Sequence, residues 1–229
     1  MGWNMKAVSL GHWLLATMVA FGILLISPGL RADSYTISTF KLGDTMEAAQ
    51  VIRTLYESLG HRVNIQELPG RRALVDSNEG KYDGELVRIG GTEHQYPNLI
   101  PVPTPIMQSK TVVVTLTSAP ISPGGWRDLQ GFRIAIPTGV QLIENRAKEY
   151  QIEHVKVTDA QSILQMLEHK RIDLTVMPLT MAKQYPEPNQ LRIVSPPMET
   201  VDLFHYVHVK NRHLVQALDK KLKEIKEQQ

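Results

Sequence analysis

A short pattern occurs twice in this chain, with its key aspartates at Asp83 and Asp173. Residues Glu79-Gly-Lys-Tyr-Asp-Gly-Glu-Leu-Val-Arg-Ile89 and Glu168-His-Lys-Arg-Ile-Asp-Leu-Thr-Val-Met-Pro178 both follow a helical pattern. Each passes through a basic turn to an Asp and then enters an apolar strand. A doubled helix–turn–Asp–strand unit predicts two similar α/β lobes, and two lobes leave a cleft between them. In α/β folds ligands sit outside the carboxyl ends of strands, so function is expected in that cleft.

The rest of the chain fits the same plan. Tyr35 to Leu42 alternates as a strand, and Asp44 or Thr45 can cap a helix running to Leu59 before Gly60 ends it. A strand over His61 to Leu68, a helix over Arg71 to Asn78 and a strand over Tyr82 to Ile89 follow. Helices between strands in this order predict a mainly parallel sheet. Gly90 to Pro105 carries four prolines and reads as irregular, and Lys110 to Thr117 returns as a β run. Ser118 to Gly125, rich in proline and glycine, reads as a linker. Beyond it the pattern restarts, with strands at Arg133–Gly139, His154–Thr158, Ile172–Met177, Leu191–Ser195 and Leu203–Lys210. Helices fall at Val140–Tyr150, Ala160–His169, Thr180–Gln184 and His213–Gln228. The last of these has a narrow apolar stripe and interspersed acids, so its lysines read as a solvated face.

The N-terminus has the order of a secretory signal peptide. Lys6 precedes an almost purely apolar run from Trp13 to Ile26, and Ser27-Pro-Gly-Leu-Arg-Ala32 then breaks the helix. The run is shorter than the roughly 20 apolar residues that a spanning helix needs. Residues 1–32 are therefore expected to be a leader, and the working protein to be periplasmic. Losing Lys6 and Arg31 with that leader takes the formal charge from +2 to 0. A balanced chain points away from nucleic acid and from anionic membrane surfaces. The chain has no cysteine, so neither disulfides nor a lipidated N-terminal Cys contribute.

Gly131-Phe-Arg-Ile-Ala-Ile-Pro-Thr-Gly139, preceded by Asp128-Leu-Gln, resembles the opening of the second lobe in bacterial periplasmic solute-binding proteins of family 3, the amino-acid-binding type. Asp83-Gly84 and Tyr96-Pro-Asn-Leu-Ile-Pro-Val-Pro-Thr-Pro-Ile106 fit the first lobe of such proteins. Asp159-Ala-Gln-Ser-Ile-Leu-Gln-Met-Leu167 and Arg171-Ile-Asp-Leu-Thr-Val176 fit the second. The resemblance covers essentially the whole chain after the leader. It implies an α/β, two-lobe periplasmic binding protein type II-like fold with two interlobe crossovers. The first lobe would comprise 33–117 plus 207–229 and the second 118–206, with hinge crossings near 115–122 and 199–206. It also implies a monomer that closes on a small-molecule solute, without a cofactor, and then meets a membrane permease or a sensor. Members of this type usually carry Thr-x-x-Arg before the proline-rich run, and that Arg grips a ligand carboxylate. Here Thr92-Glu-His-Gln95 stands in its place, with Gln95 where the Arg would be.

The residues expected to bind ligand are Arg88, Thr138, Gly139, Val140, Arg71, Lys41, Tyr82 and Tyr96. Arg88 ends a strand and can replace the missing Arg, as can Arg71 or its neighbour Arg72. Thr138-Gly139-Val140 joins a strand to a helix, so its amides and the helix dipole favour an anion. Lys41 ends the first strand, and Tyr82 and Tyr96 can stack on a solute or pack into the core. Asp83 and Asp173 read as residues that fix strand entry. For catalysis Glu93-His94 is the best acid/base pair, and no metalloprotease, nucleophile-elbow or metal-ligand motif accompanies it. The expected function is capture of a small polar or anionic solute for an ABC-type importer. An accessory sensing role and an enzyme on the same scaffold are the alternatives.

Overall fold

The computed structural model describes residues 32–40, 45–184 and 190–228. The leader expected over 1–32 lies outside them but for Ala32, and so does Lys41. Among the described residues no helix is long and apolar enough to cross a membrane.

The two halves of the chain build the same unit. In the first, β1 (Ser34–Thr39) runs parallel to β2 (Arg62–Glu67) on one side and to β3 (Gly84–Ile89) on the other. Helices α1 (Thr45–Glu57) and α2 (Gly70–Asn78) make the crossovers. In the second, β6 (Ile134–Pro137) runs parallel to β7 (His154–Val157) and to β8 (Leu174–Pro178). There α3 (Gln141–Glu149) and α4 (Ala160–Glu168) make the crossovers. The strand orders β2-β1-β3 and β7-β6-β8 are therefore equivalent.

The repeated segments hold equivalent places in the two units. Three residues before its Asp, each contains a left-handed residue that ends the preceding helix: Gly80 with φ 80° and Lys170 with φ 55°. Asp83 then accepts the Thr36 N–H of β1 at 2.7 Å, and Asp173 accepts the Arg133 N–H just before β6 at 2.8 Å. Each carboxylate thus pins the start of the central strand beside the strand it precedes.

Two longer strands join the units into one hydrogen-bonded sheet. β5 (Met107–Leu116) and β10 (Glu199–His208) pair antiparallel from Thr111↔Glu199 to Met107↔Leu203. The remainder of β5 pairs with β8 and with β9 (Leu191–Ile193), and the remainder of β10 pairs with β3 and with β4 (Leu99–Pro101). Both strands begin earlier than their apolar runs predict, at Met107 rather than Lys110 and at Glu199 rather than Leu203. Their opening residues alternate between exposed and half-buried, because no helix covers them there. Strand β4 and a 3-10 turn at Thr92–His94 lie within the stretch expected to be irregular.

Each unit has its own core. In the first, β1 and β3 pack on α1 and on the terminal helix α5 (Leu214–Glu227), with Ile37, Ile52, Leu86, Leu218 and Leu222 fully buried. In the second, β6 sends Ile134 and Ile136 to one face and Ala135 to the other. Helix α3 covers the first of these faces through Ile143, and α4 covers the other through Ile163 and Leu167. A sheet covered on both faces explains why these strands read as continuous apolar runs.

Candidate ligand-binding cleft

The carboxyl ends of β1, β3 and β6 converge on a cleft floored by the paired parts of β5 and β10. Its inner part, with about 570 Å³ of open space, is lined from one side by Phe40, Val87 and Arg88. Val140, Gln141 and Leu142 line it from the other side, and Thr111, Val201 and Leu203 line its floor. Its outer part, about 680 Å³, is polar and lies between Arg71, Gln95 and Tyr96 on one side and Gly139, Gln141 and Asn145 on the other. These volumes include open solvent; the enclosed space is about 60 Å³ in the inner part and about 270 Å³ in the outer. The rims touch: Gln141 Nε2 donates to Gln95 Oε1 at 3.2 Å, and a Cβ on Gly70 would lie 3.4 Å from the Gly139 carbonyl oxygen.

Arg88 lines both parts, and it is buried. Its guanidinium pairs with Glu85 at 2.6 Å, donates to the Gly70 carbonyl at 3.1 Å and lies 3.9 Å from the centre of the Phe40 ring. Burial pushes the Glu85 carboxyl above the ordinary carboxylate range, while Arg88 and the Ser38 hydroxyl, which donates to Glu85, hold it back. The Arg88 guanidinium is thus already partnered within the protein. Arg71, in the first turn of α2, is exposed at the cleft and makes no ion pair among the described residues.

The Thr138–Val140 turn has amides already in use. Thr138 N–H donates to the Val157 carbonyl at 3.0 Å, and Gly139, with φ 88°, donates to Glu144 Oε1 at 2.7 Å. Burial pushes the Glu144 carboxyl up, but Lys156 and the Gly139 amide outweigh it and hold the carboxyl below its usual range. The protein's own carboxylate thus occupies the anion site expected at this turn. Val140 is buried against the inner cleft, whereas Thr138 points to solvent.

Of the expected residues, the cleft brings together Arg71, Arg88, Tyr96, Gly139 and Val140. Tyr96 also packs on Leu74, Leu99 and Tyr206, so it serves both cleft and core. Tyr82 lies just before β3, at the end of the strand opposite Arg88, and lines neither part of the cleft. The Glu93-His94 pair is also outside it: Glu93 accepts the Tyr206 hydroxyl at 2.8 Å, and His94 is exposed. Among the described residues no cluster of His, Asp or Glu could hold a metal ion.

Sequence reasoning missed Glu85, Phe40 and Gln141. An acid inside the apolar run of β3, three residues before Arg88, was a usable sign of the buried pair. Gln141 carried no such sign. Its Oε1 is buried in the cleft without a hydrogen-bond partner among the described residues, although buried polar atoms are nearly always paired.

No family model matches the chain, and no curated protein sequence matches it. Solved structures do. A point mutant of arginine-bound ArgBP from T. maritima is similar with a TM-score of 0.68 at 16% identity, over 83% of this chain and 95% of that one. An amino acid ABC transporter substrate-binding protein, AbpA from Streptococcus pneumoniae, bound to L-arginine, gives 0.67 at 16%, over 85% and 90%. An ancestral arginine-binding protein bound to arginine gives 0.67 at 18%, over 85% and 92%. This chain has the two-lobe α/β fold of those binding proteins, with two strands crossing between the lobes.

Proposed function

We propose that this protein is exported to the periplasm and captures a small solute with a carboxylate, an amino acid or a related acid, for an ABC-type importer. The observation that carries the reading is Arg71, a cation without an ion-pair partner among the described residues, at the outer cleft where both lobes supply amide side chains. A guanidinium is suited to a carboxylate, which it can hold by two parallel hydrogen bonds. Arg88, already paired with Glu85, adds hydrogen-bonding edge. Lys41, which lies outside the described residues, stays in the proposal as a second cation.

The lobes meet, in this reading, where β5 pairs with β10, at 107–111 and 199–203. Residues 112–198 form the moving second lobe. Closure on the solute would be favoured because only the closed arrangement lets both lobes contact it. The protein works as a monomer that offers its closed surface to a membrane permease, and it catalyses no covalent step. Glu93, the carboxylate of the best acid/base pair, is bonded to Tyr206 outside the cleft, which favours binding over catalysis.

Calorimetric titration of the full chain with amino acids, simple carboxylates and uncharged sugars tests this. Carboxylates are expected to bind and sugars are not. Arg71→Ala should weaken the best carboxylate at least about tenfold, as expected for loss of a charge-assisted pair. Its unfolding free energy should change by less than about 0.5 kcal/mol, because Arg71 is exposed. Unchanged affinity in Arg71→Ala would overturn the assignment.

A further inference from the structure

The two parts of the cleft differ in chemistry, and that difference selects among carboxylates. The inner part is walled by Phe40, Val87, Ile89, Val140, Leu142 and Leu203. Apart from Arg88, already paired with Glu85, no described lining residue there is ionisable. A charged group entering this space would lose its hydration without meeting a free counter-charge. An apolar group would shed water against mostly hydrocarbon, Thr45, Ser109, Thr111 and Gln141 being the uncharged polar residues of the lining.

The outer part supplies what a charged head needs. Among the described residues Arg71 has no ion-pair partner, and the buried Gln141 Oε1 lacks a donor that an ammonium or another N–H could provide. Gln141 lines both parts, so a head held there directs whatever follows it inward.

Resting on the carboxylate-binding reading above, we infer that the inner cleft is a subsite for an uncharged apolar side chain. The solute is then an amino acid with an aliphatic or aromatic side chain. Its carboxylate lies at Arg71, its ammonium at Gln141 Oε1 and its side chain between Phe40 and Leu142. Arginine, which the similar structures carry, is disfavoured because among the described residues no acid lines the inner space to meet its guanidinium.

Titration of the full chain with L-leucine, L-phenylalanine, glycine and L-arginine tests the inference. Leucine or phenylalanine should bind at least about tenfold more tightly than glycine, the scale on which apolar pockets discriminate, and arginine more weakly than either. Leu142→Trp, which fills the inner space from the half-buried start of α3, should abolish that preference. Should that variant fail to fold, Val201→Phe narrows the same space from the floor. Glycine or arginine binding as tightly as leucine would overturn the subsite and leave the carboxylate reading standing. Binding by none of the four would overturn the subsite, and absence of binding to simple carboxylates as well would overturn the reading it rests on.

Discussion

Arg88 shows how a residue can sit in a cleft and still belong to the fold. Its side chain is 4% exposed and that of Glu85 0%, so the pair is held in a low-dielectric interior. Breaking such a pair leaves one charge buried alone, whereas replacing both by apolar groups is often close to neutral. Arg88→Ala should therefore lower the unfolding free energy by about 3–5 kcal/mol, read by urea denaturation. The double variant Arg88→Met with Glu85→Leu should recover most of that loss. If the double variant were as unstable as the single one, the pair would not be the reason. Its strand-end position made Arg88 legible as a cleft residue, but pairing across a fold depends on which atoms meet, and one-dimensional spacing does not carry that. The same limit hid the Glu144 carboxylate that occupies the Gly139 amide.

At the scale of elements, the doubled segment was the most legible part of the chain because its constraint is local. A left-handed cap, a two-residue gap, an Asp and a strand all lie within a few positions. Asp83→Ala and Asp173→Ala should each cost about 1–3 kcal/mol, since each strands a backbone donor at the entry of a central strand. Asp83 also accepts from Asn211 at 3.0 Å and pairs with Lys210 at 3.1 Å, and Asp173 pairs with the Arg133 guanidinium at 2.5 Å, so the two losses should be comparable in equilibrium unfolding. Equal and negligible losses would show that the strand entries are fixed by the ladder alone. The repeat diverges just after the Asp, where the first copy has Gly84 and the second Leu174. A Cβ at Gly84 would lie 2.2 Å from the Tyr206 carbonyl oxygen, so only glycine lets β10 pass there. Strands β5 and β10 were misjudged at their beginnings for a complementary reason. Their crossing halves are paired but uncovered, and apolar periodicity reports coverage rather than pairing.

Across the whole molecule, one contact ties distant parts of the first core together. His205 is fully buried, with Nε2 3.0 Å from the Tyr56 hydroxyl and Nδ1 3.1 Å from the Leu86 carbonyl oxygen. A carbonyl only accepts, so Nδ1 carries the proton and Nε2 accepts from Tyr56. Burial pushes the imidazole down to about 4. An unfolded histidine takes up a proton near pH 6.5 while the folded one stays neutral until about pH 4, so stability is lost as pH falls between them. The loss from this group should reach about 3 kcal/mol at the acid end. Comparing urea unfolding of the parent with His205→Gln at pH 7, 5 and 4 isolates it, because the carboxylates titrate in both proteins. Parallel pH dependences would mean that His205 is not held neutral. The two-lobe plan itself was readable from element order, whereas the contents of the cleft were not, since they come from seven separate elements and the loops beside them.

The crossing strands also fix an order of completion. Residues 112–198, which supply the second core, are contiguous in the chain, so their contacts close soon after they are made. The first core needs Ile37 near the beginning and Leu214, Leu218 and Leu222 near the end. A chain released from its N-terminus onward thus begins one lobe, builds the other to completion, and only then has the helix that seals the lobe it started.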